Sequence, residues 1–290
     1  MTLKHNIVVT KASGLKEPFS IKKLRNSLAR AKATSEEINL ITEALIPKLY
    51  QGISTKKIYS DAFRLLRNQS KPHAARYYLK KGIMELGPSG FPFEKFVGEL
   101  FKHLGYSVQV GKIVQGKCIT HEIDVIAEKE DELILMECKY RNQPGITVDV
   151  KTPLYIKSRF EDVLATGLLK NTEKKFAGWI TTNAKFTTDA IDYGNCIGLN
   201  LLSWDYPCNK ALKDLIDNAG LYPLTCLISL TRHEKQWLLE KDYVLVRDIY
   251  NNFKLLKKAG INEARLKSVY DEGLKLCGKN TDNQHKFIPS

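Results

Sequence analysis

The stretch that decides the fold runs Glu122-Ile123-Asp124-Val125-Ile126, crosses a charged interval from Glu128 to Glu132, and continues as Leu133-Ile134-Leu135-Met136-Glu137-Cys138-Lys139. Two short apolar runs around a polar turn predict a β-hairpin. Alternate side chains of a strand share a face, so Glu137 and Lys139 project together, and pairing of the two runs brings Asp124 to the same sheet edge. Two carboxylates and an ammonium in one place match the needs of phosphodiester hydrolysis. Mg2+ or Mn2+ is held through one or two carboxylates while keeping several waters; it polarises the phosphoryl group and activates a water, and the lysine orients that water or neutralises developing charge. Asp124 and Glu137 are therefore candidate metal ligands and Lys139 a candidate catalytic lysine. The same triplet also fits two solvated strand-end acids beside a rim lysine.

Working outward, Phe93, Phe96, Val97, Leu100, Phe101 and Leu104 recur at helical spacing, with Glu94 beside the apolar stripe. Gly105-Tyr106 ends that helix and starts a strand. Downstream, 151–169 reads as a helix, 176–182 as a buried strand, 187–193 as a helix and 199–204 as another strand. The run Phe93-Glu94, Gly105-Tyr106, His121-Glu122-Ile123-Asp124, Glu137-Cys138-Lys139-Tyr140, Thr181-Thr182, Phe186-Thr187 with Ala190, and Gly198-Leu199 resembles the Mrr-type branch of the PD-(D/E)XK nucleases. The resemblance implies a four-stranded mixed sheet flanked by helices. It also implies Asp124 and Glu137 as metal ligands, Lys139 as the catalytic lysine and Glu94 as an auxiliary acid on the helix. Many Mrr-type enzymes carry Gln where this chain has Glu137, so the site keeps the more general acidic form. His121 has two readings: a contact to metal-bound water or scissile phosphate, or a structural hydrogen bond at a strand start.

With 290 residues, two domains and a smaller third module are expected. Six cysteines without a CxxC pair argue for a reducing compartment rather than a disulfide framework, and against a structural zinc. No apolar run approaches ~18 residues and the amino terminus lacks a hydrophobic signal core, which predicts a cytoplasmic protein with no membrane contact. The net charge of +13 is uneven. Residues 1–87 carry 17 Lys/Arg against 6 Asp/Glu, residues 88–205 carry 14 against 16, and residues 206–290 carry 14 against 10. Attraction for a polyanion such as DNA must therefore come from the modules that flank the nuclease-like segment.

In the first module a strand over 6–10 and a turn, Lys11-Ala12-Ser13-Gly14, lead into helical stretches. Ser20 can cap a helix bearing Ile21, Leu24 and Leu28, and Thr34 with Glu37 forms a capping-box pattern. Thr55–Leu66 and Pro72–Leu86 read as further helices. Val8-Val9-Thr10-Lys11, Gly14, Phe19-Ser20, Lys23-Leu24, Tyr50 to Thr55 and Ala74 to Leu79 resemble an ATP-cone, a small nucleotide-sensing domain. The resemblance implies ATP or dATP as an effector, with Lys11 and Lys23 on phosphates, Gly14 in the opening turn, Glu17 and Ser20 against the nucleotide, and Thr55 at the base end. Ala12 and Ser13 depart from the family, which places a basic residue and then Asp or Asn there. No Walker-type GxxxxGK[ST] sequence occurs, so the nucleotide is read as effector rather than fuel.

Residues 207–278 read as a small helical module, with helices over 211–216, 225–230, 234–239, 246–258 and 262–276, helix-hairpin-helix-like at Lys257 to Ile261 or else a packing subdomain, and 279–290 as a polar tail. The fold class is α/β and multi-domain: an ATP-cone over 1–87, a nuclease domain over 88–206, then the helical module. The function expected is metal-dependent DNA cleavage under nucleotide control, acting as a homodimer or higher homo-oligomer, in restriction of foreign or modified DNA. The alternative is a nucleotide-sensing DNA-binding regulator whose nuclease fold no longer cuts.

Overall fold

The structure is a computed structural model describing residues 7–167 and 173–278, so the polar tail expected over 279–290 lies outside the described residues. The first module opens with an antiparallel pair, β1 (Val8–Thr10) and β2 (Lys16–Pro18). Its turn needs Gly14, whose φ of +83° lies in the left-handed region. Five helices follow: α1 (Ile21–Arg30), α2 (Ser35–Leu45), α3 (Thr55–Gln69), α4 (Lys71–Tyr77) and α5 (Leu79–Met84). The capping predictions hold: Ser20 accepts from the Lys23 amide and Thr34 closes a capping box with Glu37. Leu24, Leu28, Ile41, Leu45, Ile58 and Leu66 form this module's own core.

The second module places α6 (Phe91–His103) before a long hairpin, β3 (Ser107–Gln115) and β4 (Thr120–Glu128), and then β5 (Glu132–Lys139). Short β6 (Thr147–Val148) precedes α7 (Lys151–Leu164), β7 (Lys175–Thr182), short β8 (Lys185–Phe186), α8 (Thr188–Cys196) and β9 (Asn200–Leu202). The main sheet has the order β3-β4-β5-β7-β9, antiparallel across the first three strands and parallel across the last three. It has five strands, one more than the Mrr-type resemblance implies. At one edge lies β3, whose residues are mostly exposed or half-buried, so it rests on hydrogen bonding along β4 rather than on a buried face. The α7 helix ends at Leu164 rather than 169, where Ala165 to Gly167 turn away.

The sheet is covered on both faces. On one side Phe93, Phe96, Val97 and Phe101 of α6 pack against Val125, Ile134, Met136 and Trp179. On the other, Ile156, Phe160 and Val163 of α7 meet Ile123, Leu135 and Ile180. The spacing of each helical set supplies the apolar stripe that such covering requires.

The third module contains α9 (Leu212–Ala219), α10 (Arg232–Glu240), α11 (Phe253–Lys258) and α12 (Glu263–Cys277). Its residues do not form a separate core. Leu212, Tyr222, Leu245, Leu256 and Val269 belong to the same buried cluster as α6 and as Ala75, Leu79, Ile83 and Leu86 at the end of the first module. Polar clasps reinforce this continuity. Arg30 reaches Asp214 and Asp217, each at 2.9 Å; Arg76 donates to the carbonyls of Lys275 at 2.5 Å and Leu276 at 3.0 Å; Thr225 donates to the Gly82 carbonyl at 2.6 Å.

Candidate active site

Both ladders that β4 makes are interrupted at Asp124. Against β3 the register runs Val110↔Val125 and then Lys112↔Ile123, skipping Gly111, whose φ is +61°. Against β5 the pairing stops at Val125↔Met136. The Asp124 carboxylate then takes over from the backbone, accepting the Cys138 N–H at 2.6 Å. The strands part at their ends, and the gap holds the acidic cluster.

Glu137 lies in that gap, only 4% exposed, next to β7. One of its carboxylate oxygens accepts from Lys139 Nζ. The other accepts from Arg159 Nη1 of α7 at 2.5 Å. Arg159 also donates to the Glu122 carbonyl at 3.3 Å and to the Tyr155 hydroxyl at 3.2 Å, with its guanidinium 4.9 Å from the Tyr155 ring centroid. Lys139 is fixed at its backbone, where its carbonyl accepts from Thr182 Oγ1 at 2.5 Å. Glu94 enters from the first turn of α6, with its Oε1 close enough to Gly90 that a Cβ there would lie 3.1 Å away.

The electrostatics set these carboxylates apart. Burial, reinforced by the negative charges of Asp124, Glu122 and Glu137, pushes Glu94 up to about 7. Burial and then Glu137 push Asp124 up to about 6, against the Cys138 N–H and the nearby cations. Such shifts mean that burial and then mutual repulsion outweigh the pull of Lys139 and Arg159, whose contacts go to Glu137.

The structure thus brings Glu94, Asp124, Glu137 and Lys139 to one site. His121 is elsewhere: its Nε2 lies 2.8 Å from Asp162, which also accepts the Cys118 N–H at 2.8 Å and the Ile119 N–H at 3.3 Å. This is the structural alternative, a staple holding the β3–β4 turn to α7. Arg159 and Tyr155 went unnoticed in the sequence. Their only signal is an i, i+4 pair flanking the buried Ile156–Phe160 stripe, a pattern shared by many solvated helix faces.

Among the described residues no three His, Cys, Asp or Glu side chains are grouped to hold a metal ion as they stand. The donor chemistry nonetheless fits a hard divalent cation: the Asp124 carboxylate would ionise in its presence, and Glu137, by exchanging its Lys139 contact, would be the second oxygen ligand, with Glu94 beside them.

At the nucleotide-type site, Glu17, Ser20, Lys23 and Thr55 line one hollow of about 170 Å³ with Val9, Phe19 and Tyr77 among its walls. Lys11 and Lys23 both pair with Glu17, at 2.7 and 3.3 Å, and together they hold its carboxyl below the usual range. Ser20 is occupied as the cap of α1. Gly14 has nothing within 4 Å of a built Cβ, so its contribution is the turn itself.

Comparison with known proteins follows this division. An ATP cone domain model matches residues 7–80, a restriction endonuclease model of the Mrr catalytic type matches 87–205, and an AF1548-like C-terminal model matches 222–277. The chain belongs to the Mrr-type restriction-endonuclease family and carries an N-terminal ATP cone. Among its relatives is an uncharacterized protein of Archaeoglobus fulgidus, 31% identical over 183 residues that span 63% of this chain and 100% of that protein. The crystal structure of a protein of unknown function, AF1548, superposes with a TM-score of 0.54 at 30% identity, covering 65% of this chain and 98% of that one. The MspJI restriction endonuclease in complex with a 27-mer oligonucleotide aligns at 11% identity with a TM-score of 0.27, covering 82% of this chain and 45% of that one, a likeness too slight to carry an argument.

Proposed function

We propose that the chain is a Mg2+- or Mn2+-dependent endodeoxyribonuclease whose cutting responds to ATP or dATP bound at the cone. The observation that carries this reading is the meeting of Glu94, Asp124, Glu137 and Lys139 where β4 and β5 part, with Glu94 and Asp124 held at raised pKa by burial and then by neighbouring carboxylates. Asp124 and Glu137 would hold the cation, which when bound supplies Lewis acidity at the phosphodiester. Lys139, released from Glu137 by the cation, would orient the attacking water, and Glu94, titrating near neutrality, would hold or accept a proton beside it. The basic first module, with 17 Lys/Arg against 6 Asp/Glu, would supply the charge that draws DNA to an acidic site. Cutting both strands with one site per chain would call for a homodimer or higher oligomer, and DNA restriction in the cytoplasm is the setting this chemistry suits.

Regulation is supported by two contacts from the cone onto the segment that follows Lys139. The Tyr140 hydroxyl donates to the Met84 carbonyl of α5 at 2.6 Å. A Cβ on Gly145 would lie 3.3 Å from the Ala12 carbonyl and the Ser13 nitrogen, in the turn expected to meet phosphates. A nucleotide that reshapes that turn would press on residues 140–145.

The test is cleavage of methylated and unmethylated plasmid with Mg2+, with and without ATP, by the native chain, Asp124→Ala and Lys139→Ala. Cutting by the native chain alone, at least about 100-fold above either variant, is expected, with a rate that ATP changes. DNA binding without cutting in any condition would favour the alternative, a nucleotide-sensing regulator.

A further inference from the structure

Behind the cone's front hollow, α3 turns a second face toward the C-terminal module. Lys56, Ser60, Phe63 and Arg67 recur along it at helical spacing and line a cavity of about 380 Å³. Tyr78 and Lys81 form the opposite wall, and Cys226 and Lys235 of the third module complete it. That volume falls within the range of small-molecule sites.

The lining includes four cationic side chains and no carboxylate. Its contrast with the front hollow is direct, since there Glu17 pairs with both lysines. Here the acid nearest along α3, Asp61, is taken by Lys57 at 3.3 Å and Arg64 at 3.2 Å, and among the described residues Lys56 and Arg67 form no ion pair. Lys81 has only a long contact of 3.8 Å to Glu85, whose carboxylate also accepts from the Tyr78 hydroxyl at 2.7 Å. Lys235 donates to the Thr225 carbonyl at 2.6 Å, with Glu85 and Glu272 acting on it from outside the lining. Four like charges around one cavity repel, and an anion relieves that repulsion.

The walls are aromatic as well. Phe63 and Tyr78 lie with ring centroids 5.1 Å apart, and Lys81 and Lys235 approach the Tyr78 ring at 5.0 and 5.7 Å. Cations over a half-buried aromatic pair suit a ligand with a phosphate and a planar base.

We propose that this cavity is a second, separate nucleotide-unit site, with Lys56 and Arg67 on the phosphate and the Phe63–Tyr78 pair against the base. The unit could be a free mononucleotide or a nucleotide of a DNA strand. The experiment measures binding of AMP and of a 5′-phosphorylated single-stranded oligonucleotide to the full chain, without divalent metal, by equilibrium dialysis. It compares the native chain with Lys56→Ala/Arg67→Ala, Lys11→Ala/Lys23→Ala and Lys16→Ala/Lys48→Ala. All six positions are exposed or half-buried, so the variants retain the fold, and circular dichroism confirms it.

The expected result is a loss of roughly tenfold or more for Lys56→Ala/Arg67→Ala, the size of two charge-assisted contacts, with Lys16→Ala/Lys48→Ala keeping that binding and Lys11→Ala/Lys23→Ala losing only AMP bound at the front hollow, so that its oligonucleotide binding stays as in the native chain. Loss confined to AMP identifies a free nucleotide as the source, and loss confined to the oligonucleotide identifies a strand. Unchanged affinity for both probes overturns the proposal. So does an equal loss in Lys16→Ala/Lys48→Ala, which would mean diffuse charge rather than a site.

Discussion

Glu94 and Arg159 act on the acidic cluster in opposite senses, and each makes a prediction of its own. Glu94 has a folded pKa of about 7 against an ordinary 4.5. The folded state therefore holds this proton more tightly than the unfolded one, so its stabilising contribution is present below about 4.5 and is lost as pH rises through 7. Glu94→Gln, which cannot ionise, should gain stability relative to the native metal-free chain across that window, by about 1 kcal/mol once solvent screening is allowed for. Urea unfolding at pH 5 and pH 8 reads it; an equal difference at the two pH values would refute it. Arg159 instead satisfies a buried carboxylate. Arg159→Met leaves Glu137 with Lys139 alone and should cost about 1–3 kcal/mol in chemical denaturation, with Arg159→Lys intermediate. The meeting of Asp124, Glu137 and Lys139 was legible in the sequence because strand alternation and a hairpin suffice to gather them, whereas Glu94 on α6 was placed only by the resemblance. Arg159 was not, because its role depends on where α7 crosses the sheet, and no local pattern fixes that crossing.

The β3–β4 hairpin shows what an element contributes that its residues do not advertise. Gly111 sits opposite Asp124 at φ +61°, where the ladder is broken. Gly111→Ala forces a side chain into the left-handed region and should lower stability by about 1–2 kcal/mol. It should also weaken Mg2+ binding, followed by calorimetry, because Asp124 is set by that break; a variant that loses stability but binds metal as before would show that the break does not position the acid. Elements with strong capping or alternating burial were legible: α1, α2, α6, β4, β5 and β7 fall close to their predicted spans. The expected helix over 225–230 is instead a short 3-10 turn, Leu224–Cys226, within a chain buried on all sides, where periodicity carries no information. The single helix expected over 246–258 is split. Asn252 caps α11 by accepting the Leu255 N–H at 3.1 Å, a local hydrogen bond that outcompetes continuation of the helix.

At the scale of the whole molecule, one buried cluster runs from α5 through the nuclease sheet to α12. Three separate family matches would suggest three independent melting units, but shared burial couples them. Differential scanning calorimetry should show the nuclease and C-terminal modules unfolding in one transition, with Arg30→Ala lowering its midpoint by about 2–4 °C for the loss of roughly 1 kcal/mol. Two resolved transitions for these modules would contradict the coupling. This continuity was illegible in the sequence, since amphipathic helices announce that they pack without announcing on what.

The clasp between Arg76 and the carbonyls of Lys275 and Leu276 has a consequence for how the chain is made. During synthesis the cone emerges first, and the sheet with its acidic gap emerges next. The residues that close over α4 emerge almost 200 positions later than the arginine that grips them. A nascent chain paused on the ribosome anywhere in the third module still lacks one wall of its core, so the sheet and its gap reach their final packing only after α12 has emerged.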